Sequence, residues 1–459
     1  MYLRNDTIAA IATPIGEGGI SVIRISGEDA ITLADKGFHG KQQLRNARSH
    51  TAHFGIFKSK KLEPIDQIVA TVFIQPNSFT GENIVEISCH GGMYISQRIL
   101  EELFQHGVRP AEPGEFTFRA FANGKIDLAQ AEAVADMINS PTESALKVSL
   151  NQLQGKLSSI ISDLKEQLIQ FCGLLELELD FSEEDVEFIS REMLVLKLKD
   201  IITTLTKLIE SYSSGKIYKE GAKIVLAGLP NVGKSSIFNA LLGEDRAIVT
   251  NIPGTTRDKI EESIIIDGIL FKIVDTAGLR DSNDFIELES FKKTNEEIQN
   301  ADIIIFVTDN VNGINDKEKD IIDRLIMKKK IIKVRNKIDL VKNRFVQLNE
   351  NRDESYLDIS ALTGENIQSF KKAISEKIFS GKKIDFNNTV IVTNRRQHKC
   401  LTDACMIIQS VSDQLNLKVS NEYLSAELRR GINRLAEITG EITTNEIINN
   451  IFSNFCIGK

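Results

Sequence analysis

Gly228, Gly233, Lys234 and Ser235 stand in the spacing G-x-x-x-x-G-K-S, inside KIVLAGLPNVGKSS. Glycines so placed let a backbone curl until its N–H groups converge on phosphate oxygens. The lysine then reaches the β- and γ-phosphates, and the serine hydroxyl is a ligand for Mg²⁺. Asn231, Val232 and Ser236 fill out the loop. The Asn231 amide oxygen has two readings. It could help bind a monovalent cation where an arginine finger would act, or it stabilises the loop. Further on, IIIDGILFKIVDTAG reads as a hairpin with an Asp267-Gly268 turn. It runs into Asp275, Thr276, Ala277 and Gly278, with Asp275 suited to the Mg²⁺ shell and the Gly278 N–H to the γ-phosphate. Asn336, Lys337 and Asp339 form N-K-I-D after the apolar run IIKV. The Asp339 carboxylate can accept from both N1–H and the 2-amino group of guanine, a pair that adenine lacks. Ser360, Ala361 and Leu362 suit backbone support of guanine O6. Four motifs in this order predict a Ras-like P-loop domain that binds and hydrolyses GTP.

Leu279 stands where Ras-type enzymes place a water-orienting glutamine. A leucine cannot hydrogen-bond water, so another group must polarise it. PGTTRD, from Pro253 to Asp258, lies in the first switch, and Thr256 is the candidate second Mg²⁺ ligand. The chain ends FCIGK. Cys456 is fourth from the end, but Gly458 and Lys459 do not fit a prenylation box. A frayed tail and a thiol delivered to a site both remain open on these residues. His90 in SCHGG has no companions that would make a zinc site, so a structural role is expected.

These residues need elements to hold them. Residues 1 to about 120 mix short strands, such as GGISVIRISG and QIVATVFI, with Gly/Pro punctuation. From 121 to 215 Gly and Pro thin out. Leu150, Leu153, Leu157, Ile161, Leu164 and Leu168 recur at helical spacing. SPTE predicts a helix start with Ser140 as N-cap, Pro141 at the first turn and Glu143 in a capping box. SYSSGK at 211–216 reads as a linker. From 216 to 382 apolar strands alternate with helical runs, the pattern of a parallel sheet wrapped by helices. From 383 to 459 the pattern is helical again. The expected architecture is therefore an N-terminal α+β domain and a discontinuous all-α domain, with an α/β domain inserted into the latter.

The 459 residues suit about three domains. A net charge of −8 argues against a broad basic nucleic-acid face, so any such contact must be local or shared with a partner. Arg4, Asp6 and Pro14 break the N-terminus as a signal peptide, and no apolar run is long enough to span a bilayer. Five unpaired-looking cysteines point to a reducing, cytoplasmic setting.

With DTIAAIATP, PGEFTFRAF, KIDLAQAEAVADMI, GLPNVGKSS, GTTRD, DTAGLRD and the final CIGK in place, the chain resembles the MnmE (TrmE) family of tRNA modification GTPases along its whole length. The resemblance implies a folate-binding-like N-terminal domain that also makes a homodimer. It implies a partner flavoprotein, MnmG, in a heterotetramer or larger complex. The activity implied is a carboxymethylaminomethyl or aminomethyl addition to C5 of the wobble uridine (position 34) of certain tRNAs, with 5-formyl- or methylene-tetrahydrofolate supplying carbon. GTP hydrolysis in the family needs K⁺. The implied K⁺ ligands are Asn231, Thr250, Ile252 and Thr255. The switch loop from Thr250 through Asn251, Ile252, Pro253, Gly254 and Thr255 to Thr256 would line the nucleotide. Glu287 is the implied water-positioning acid, which resolves the leucine problem. Arg24, Glu86, Lys125 and Lys459 are the implied folate contacts, one acid and three bases for a pterin with an anionic tail. Cys456 is implied at that pocket. Two other readings share the GTPase motifs, a ribosome-assembly switch and a folate-dependent one-carbon transferase with a regulatory GTPase. The first lacks a folate-like domain and a terminal cysteine.

Overall fold

The structure, a computed structural model, describes residues 6–180, 190–243, 261–275, 296–309, 330–340, 355–379, 386, 389–417, 419–453 and 455–458. The chain divides into two compact units. One holds 1–135, 152–196 and 406–459, and the other holds 136–151 and 197–405.

The first unit opens with β1 (Ile8–Ile11), β2 (Ile20–Ser26), α1 (Ala30–Asp35), β3 (Phe38–Gly40), β4 (Thr51–Lys58), β5 (Pro64–Phe73), β6 (Ile84–His90), α2 (Met93–Gln105) and β7 (Arg109–Pro110). The strands form one sheet in the order β3-β4-β5-β6-β2-β1-β7. Alternation sorts their side chains. Ile23 and Ile25 of β2 and Ile87 of β6 face Ile99 and Leu103 of α2 in a buried core. Arg24, between the two isoleucines, points to the other face, opposite Glu86 in register.

The helices that follow are α3 (Glu115–Ala122), α4 (Leu128–Ile138), α5 (Glu143–Leu153), α6 (Lys156–Asp180) and α7 (Arg191–Glu220). The apolar repeat expected as one run belongs to two helices. Gly155, at φ +77°, separates α5 from α6. The α5 cap also differs from expectation. Thr142, not Ser140, accepts the Ala145 N–H through its hydroxyl, at 3.2 Å. Ser140 instead donates to the Asp136 carbonyl, closing off α4. Late in the chain lie α10 (Arg395–Gln414), α11 (Asn421–Thr439) and α12 (Asn445–Ser453), following α9 (Ile367–Ile378) of the second unit. Buried Leu157, Ile161, Leu164 and Leu168 line α6, and Leu424, Leu428 and Leu435 line α11. The two helices pack together although about 250 residues separate them, and Glu176 accepts from Ser425 and Arg429 across the seam. A helical layer assembled from both sides of the intervening α/β segment is what makes the helical domain discontinuous.

That segment forms a second sheet, of β8 (Ala222–Ala227), β9 (Glu261–Ile266), β10 (Ile269–Asp275), β11 (Ile303–Asp309), β12 (Lys330–Asn336) and β13 (Tyr356–Asp358). Its order is β13-β12-β11-β8-β10-β9, parallel except for the β9–β10 hairpin. Asp267 and Gly268, at φ +49° and +75°, turn that hairpin as the sequence predicts. Continuous apolar runs suit strands buried on both faces. Ile224, Leu226, Ile305 and Val307 pack against Ile237 and Leu241 of α8 (Lys234–Leu242) and Phe370 of α9, while Val225, Ile304 and Phe306 fill the other side. Such a doubly wound sheet gathers its loops at the carboxyl ends of the strands.

SYSSGK is not a linker. Residues 211–216 lie inside α7. Their small polar side chains serve close packing. Ser211 donates to the Leu208 carbonyl at 2.6 Å and accepts the Val392 N–H at 3.1 Å. A Cβ at Gly215 would sit 2.0 Å from the Val392 carbonyl oxygen. Gly215→Ala therefore sets two effects against each other. Alanine favours a helix interior by about 1 kcal/mol, but overpacking against fixed backbone costs about 1–3 kcal/mol. Net destabilisation of roughly 1 kcal/mol or more is expected in urea unfolding. An unchanged or raised midpoint would mean that the 391–392 segment yields freely.

Candidate functional site

At the end of β8 the chain turns through Gly228 at φ +146° and Gly233 at φ +96°. Neither can carry a side chain. A Cβ on Gly228 would lie 2.2 Å from the Val307 carbonyl oxygen, and one on Gly233 would lie 2.2 Å from Asn336 Nδ2. Asn231 takes φ +65° and exposes its side chain, while Val232 is buried. Lys234 is buried and donates from Nζ to the carbonyls of Gly228 (3.1 Å) and Leu229 (2.8 Å), folding across the loop. Ser235 and Ser236 are exposed in the first turn of α8, where helix N–H groups lack internal partners. Asp275 closes β10 beside Leu226, which brings the end of its strand to this loop.

The base-recognition motifs meet the phosphate loop directly. Asn336 is 2% exposed. Its Nδ2 donates to the Val232 carbonyl at 3.1 Å, and its Oδ1 accepts the Ala361 N–H at 3.0 Å. Lys337, at φ +67°, donates to the Asn231 carbonyl at 2.6 Å and lies 3.6 Å from Asp309. Ser360 donates to Asp339 Oδ1 at 2.5 Å and accepts the Thr363 N–H. Leu362 is 86% exposed. Sequence reasoning named these residues but not the wiring among them, nor Asp309 as the acid facing Lys337.

A second constellation lies on the open face of the N-terminal sheet. Arg24 donates from Nε to Glu86 Oε1 at 2.8 Å. The Arg24 guanidinium carbon sits 5.4 Å from the Phe79 ring centroid and 5.8 Å from that of Phe116. Lys125 donates to the Pro76 carbonyl at 3.0 Å, along the same loop that supplies Phe79. A charge network anchors this loop. Arg119 bonds Glu82, Asp6 and Glu115, and Ser26 bonds Glu82 and Thr80. The Arg109 hydrogen bond holds Asp6 below its usual pKa. Burial alone would raise Glu115, but bonds from Arg109, the Glu112 N–H and Arg119 outweigh it and lower that carboxyl too. Phe79 and Phe116 escaped the sequence reading, because only a fold brings them to Arg24.

The tail is packed at Phe455 and again at Gly458. Phe455 is buried against Phe452, whose ring centroid is 5.4 Å away, and Gly458 abuts the Ile11 carbonyl on β1. Cys456, between them, is exposed. Ala10, one residue before Ile11, faces Arg24 in the β1–β2 register. His90 is occupied by Asp66, at 2.7 Å from Nδ1, and the described residues hold no cluster of metal-ligating side chains. Thr250, Asn251, Ile252, Pro253, Gly254, Thr255, Thr256, Thr276, Ala277, Gly278, Glu287 and Lys459 lie outside the described residues, as does the Asp275 side chain. No helix among the described residues is long and apolar enough to cross a membrane.

Two family models match. One, described as "GTP-binding protein TrmE N-terminus", covers residues 7–125, and the other, "MnmE helical domain", covers 128–456. A "tRNA modification GTPase MnmE" of Salinibacter ruber is 41% identical over 474 residues, spanning 99% of this chain and 100% of its own length. Its namesake in Chlorobaculum tepidum is 41% identical, over 98% of this chain and 97% of its own length. That of Christiangramia forsetii is 39% identical, over 99% of both. With both models matched in sequence order and relatives aligned end to end, the chain belongs to the MnmE (TrmE) family.

Proposed function

We propose that this chain hydrolyses GTP and couples that reaction to the modification of tRNA. The observation that carries the nucleotide reading is Asn336, which ties the phosphate loop to both base-recognition loops through a single buried amide. The finer reading follows the family. The chain acts as a homodimer with the flavoprotein MnmG on the wobble uridine, with a tetrahydrofolate derivative supplying carbon. Its residues fit the groups this requires. Lys234, drawn across the loop onto its own carbonyls, is placed to exchange them for phosphate oxygens. Ser235 would hold Mg²⁺, and Asn231, exposed at the loop's crest, would hold K⁺ with the first switch. Such a cation supplies positive charge where an arginine finger otherwise acts. Arg24 is held by Glu86 between two aromatic rings, which offers a planar cation and a carboxylate edge to a pterin.

Three tests follow from this reading. Asp339→Asn replaces one acceptor with a donor facing the guanine 2-amino group, at a cost of about 1–3 kcal/mol. GTP affinity is expected to fall roughly tenfold or more, while xanthosine triphosphate, with a 2-oxo group, binds better. Titration with both nucleotides decides, and unchanged GTP binding removes Asp339 from base recognition. Hydrolysis is expected to run much faster in potassium than in sodium chloride. Equal turnover in the two salts excludes the cation at Asn231. Deleting 456–459, and leaving the buried Phe455 in place, is expected to preserve GTP turnover but abolish the wobble-uridine product seen by mass spectrometry of tRNA nucleosides. Cys456→Ser separates the parts, since it raises the pKa far above that of a thiol. Normal modification by this variant makes the cysteine structural.

A further inference from the structure

The segment from Lys36 to Leu62 contains seven Lys and Arg and no Asp or Glu, in a chain whose net charge is −8. It forms the β3–β4 edge of the N-terminal sheet, away from the central β2–β6 pair that carries Arg24 and Glu86. The cations gather at the two ends of β4. At one end are Lys58, Lys60 and Lys61, with Lys36 brought in by the Lys58 N–H bond to the Gly37 carbonyl. Lys36 also donates to the His106 carbonyl, and burial lowers the His106 pKa with help from Lys36 and Lys60 and against Glu102. At the other end are Lys41 and Arg48, where Gln42 bonds His53 and Thr51 bonds the Arg48 carbonyl, while Arg45 reaches back to Asp35, next to Lys36. Lys36, Lys41, Arg45, Arg48, Lys60 and Lys61 are exposed. The Arg45 side chain pairs with Asp35 at 2.8 Å, and the Lys60 backbone N–H donates to Glu102 Oε2 at 3.0 Å.

Lysines on an edge strand also serve to block edge-to-edge pairing. That role would place them on β3 itself, whose residues are Phe38, His39 and Gly40. Here Lys41, Arg48, Lys60 and Lys61 lie outside β3 and β4, and Lys58 is the last residue of β4. We propose that this edge is a binding surface for the phosphate backbone of tRNA. Eight residues of β4 span about 24 Å at ~3.4 Å each. That is long enough to follow several consecutive phosphates of one strand. Between the two clusters Phe54 is 65% exposed, and His50 meets Phe73 edge-on at 5.2 Å. Such rings give unpaired bases a face to stack on. A local basic edge reconciles an acidic chain with an anionic substrate. The proposal rests on tRNA being that substrate.

The test uses the full chain and an unmodified tRNA transcript, with binding followed by fluorescence anisotropy from low to moderate salt. The charge reversals are K60E/K61E at one end and K41E/R48E at the other, with Lys199→Glu on α7 as control. Each pair is expected to lower the slope of log affinity against log salt by about 1.4–1.8, at ~0.7–0.9 per lost contact, and to weaken binding about tenfold. GTP turnover without tRNA and the melting temperature stay unchanged. Affinities and slopes equal to those of the control overturn the proposal. So does poly-glutamate competing as well as tRNA, which would give the surface to an acidic protein. Wobble-nucleoside analysis of a deletion strain reports separately on the substrate. If modification is lost there while the variants bind normally, the surface assignment fails and the function stands.

Discussion

The nucleotide site depends on one buried amide. Asn336 must donate on one side, to Val232, and accept on the other, from Ala361. A side-chain amide does both at once from two separate atoms, Nδ2 and Oδ1, which lets it span two backbone groups. An aspartate would set an acceptor against the Val232 carbonyl. A leucine would leave two buried backbone groups unpaired, at about 1–3 kcal/mol each. The same amide explains Gly233, since its Nδ2 occupies the space a Cβ would need. A glycine in the phosphate loop and an asparagine 103 positions later are therefore a single structural decision, because 336 less 233 is 103.

Topology makes that decision possible. β8 lies at the centre of its sheet, with β10 on one side and β11 and β12 on the other. Parallel crossovers carry every following loop to the same end. The phosphate loop, the end of β10 at Asp275 and the turn after β12 thus converge without any loop having to travel. Lys337 reinforces the arrangement by bridging Asn231 and Asp309. Its positive φ shows that the turn is bent to fit the loop rather than relaxed on its own.

The sequence was legible where chemistry constrains residue type at fixed spacing. G-x-x-x-x-G-K-S, N-K-I-D and the Asp267-Gly268 turn each name a backbone shape, and the shapes are there. Period and polarity read well too, because one face of a strand or helix must leave water. They misled where a small polar residue had two physical uses. Ser211, Ser213 and Gly215 look like a linker by composition, yet the serines return hydrogen bonds to their own helix and the glycine admits Val392. Helical spacing ran unbroken from Leu150 to Leu168, yet it spans two helices, and Leu150 of α5 is exposed while Leu157, Ile161, Leu164 and Leu168 of α6 are buried. What lay beyond reading was any contact between distant segments without a motif, such as Phe79 and Phe116 around Arg24.

That last contact bears on how the N-terminal face could select a ligand. An exposed arginine beside a glutamate is worth little and moves freely. Arg24 is restrained three ways, by Glu86 in register, by Phe79 and by Phe116. Phe79 is held in turn, since its loop is tied down through Thr80, Glu82 and Arg119 to Asp6 and Glu115. Buried charge of this kind contributes little net stability once desolvation is counted. Its effect is positional. A guanidinium fixed between rings before a ligand arrives loses less entropy on binding than a free one. The ionic network of Asp6, Glu82, Arg109, Glu115 and Arg119 is thus best understood as the rigid footing of the Arg24–Glu86 pair, and the tail that carries Cys456 docks on the neighbouring strand of the same sheet.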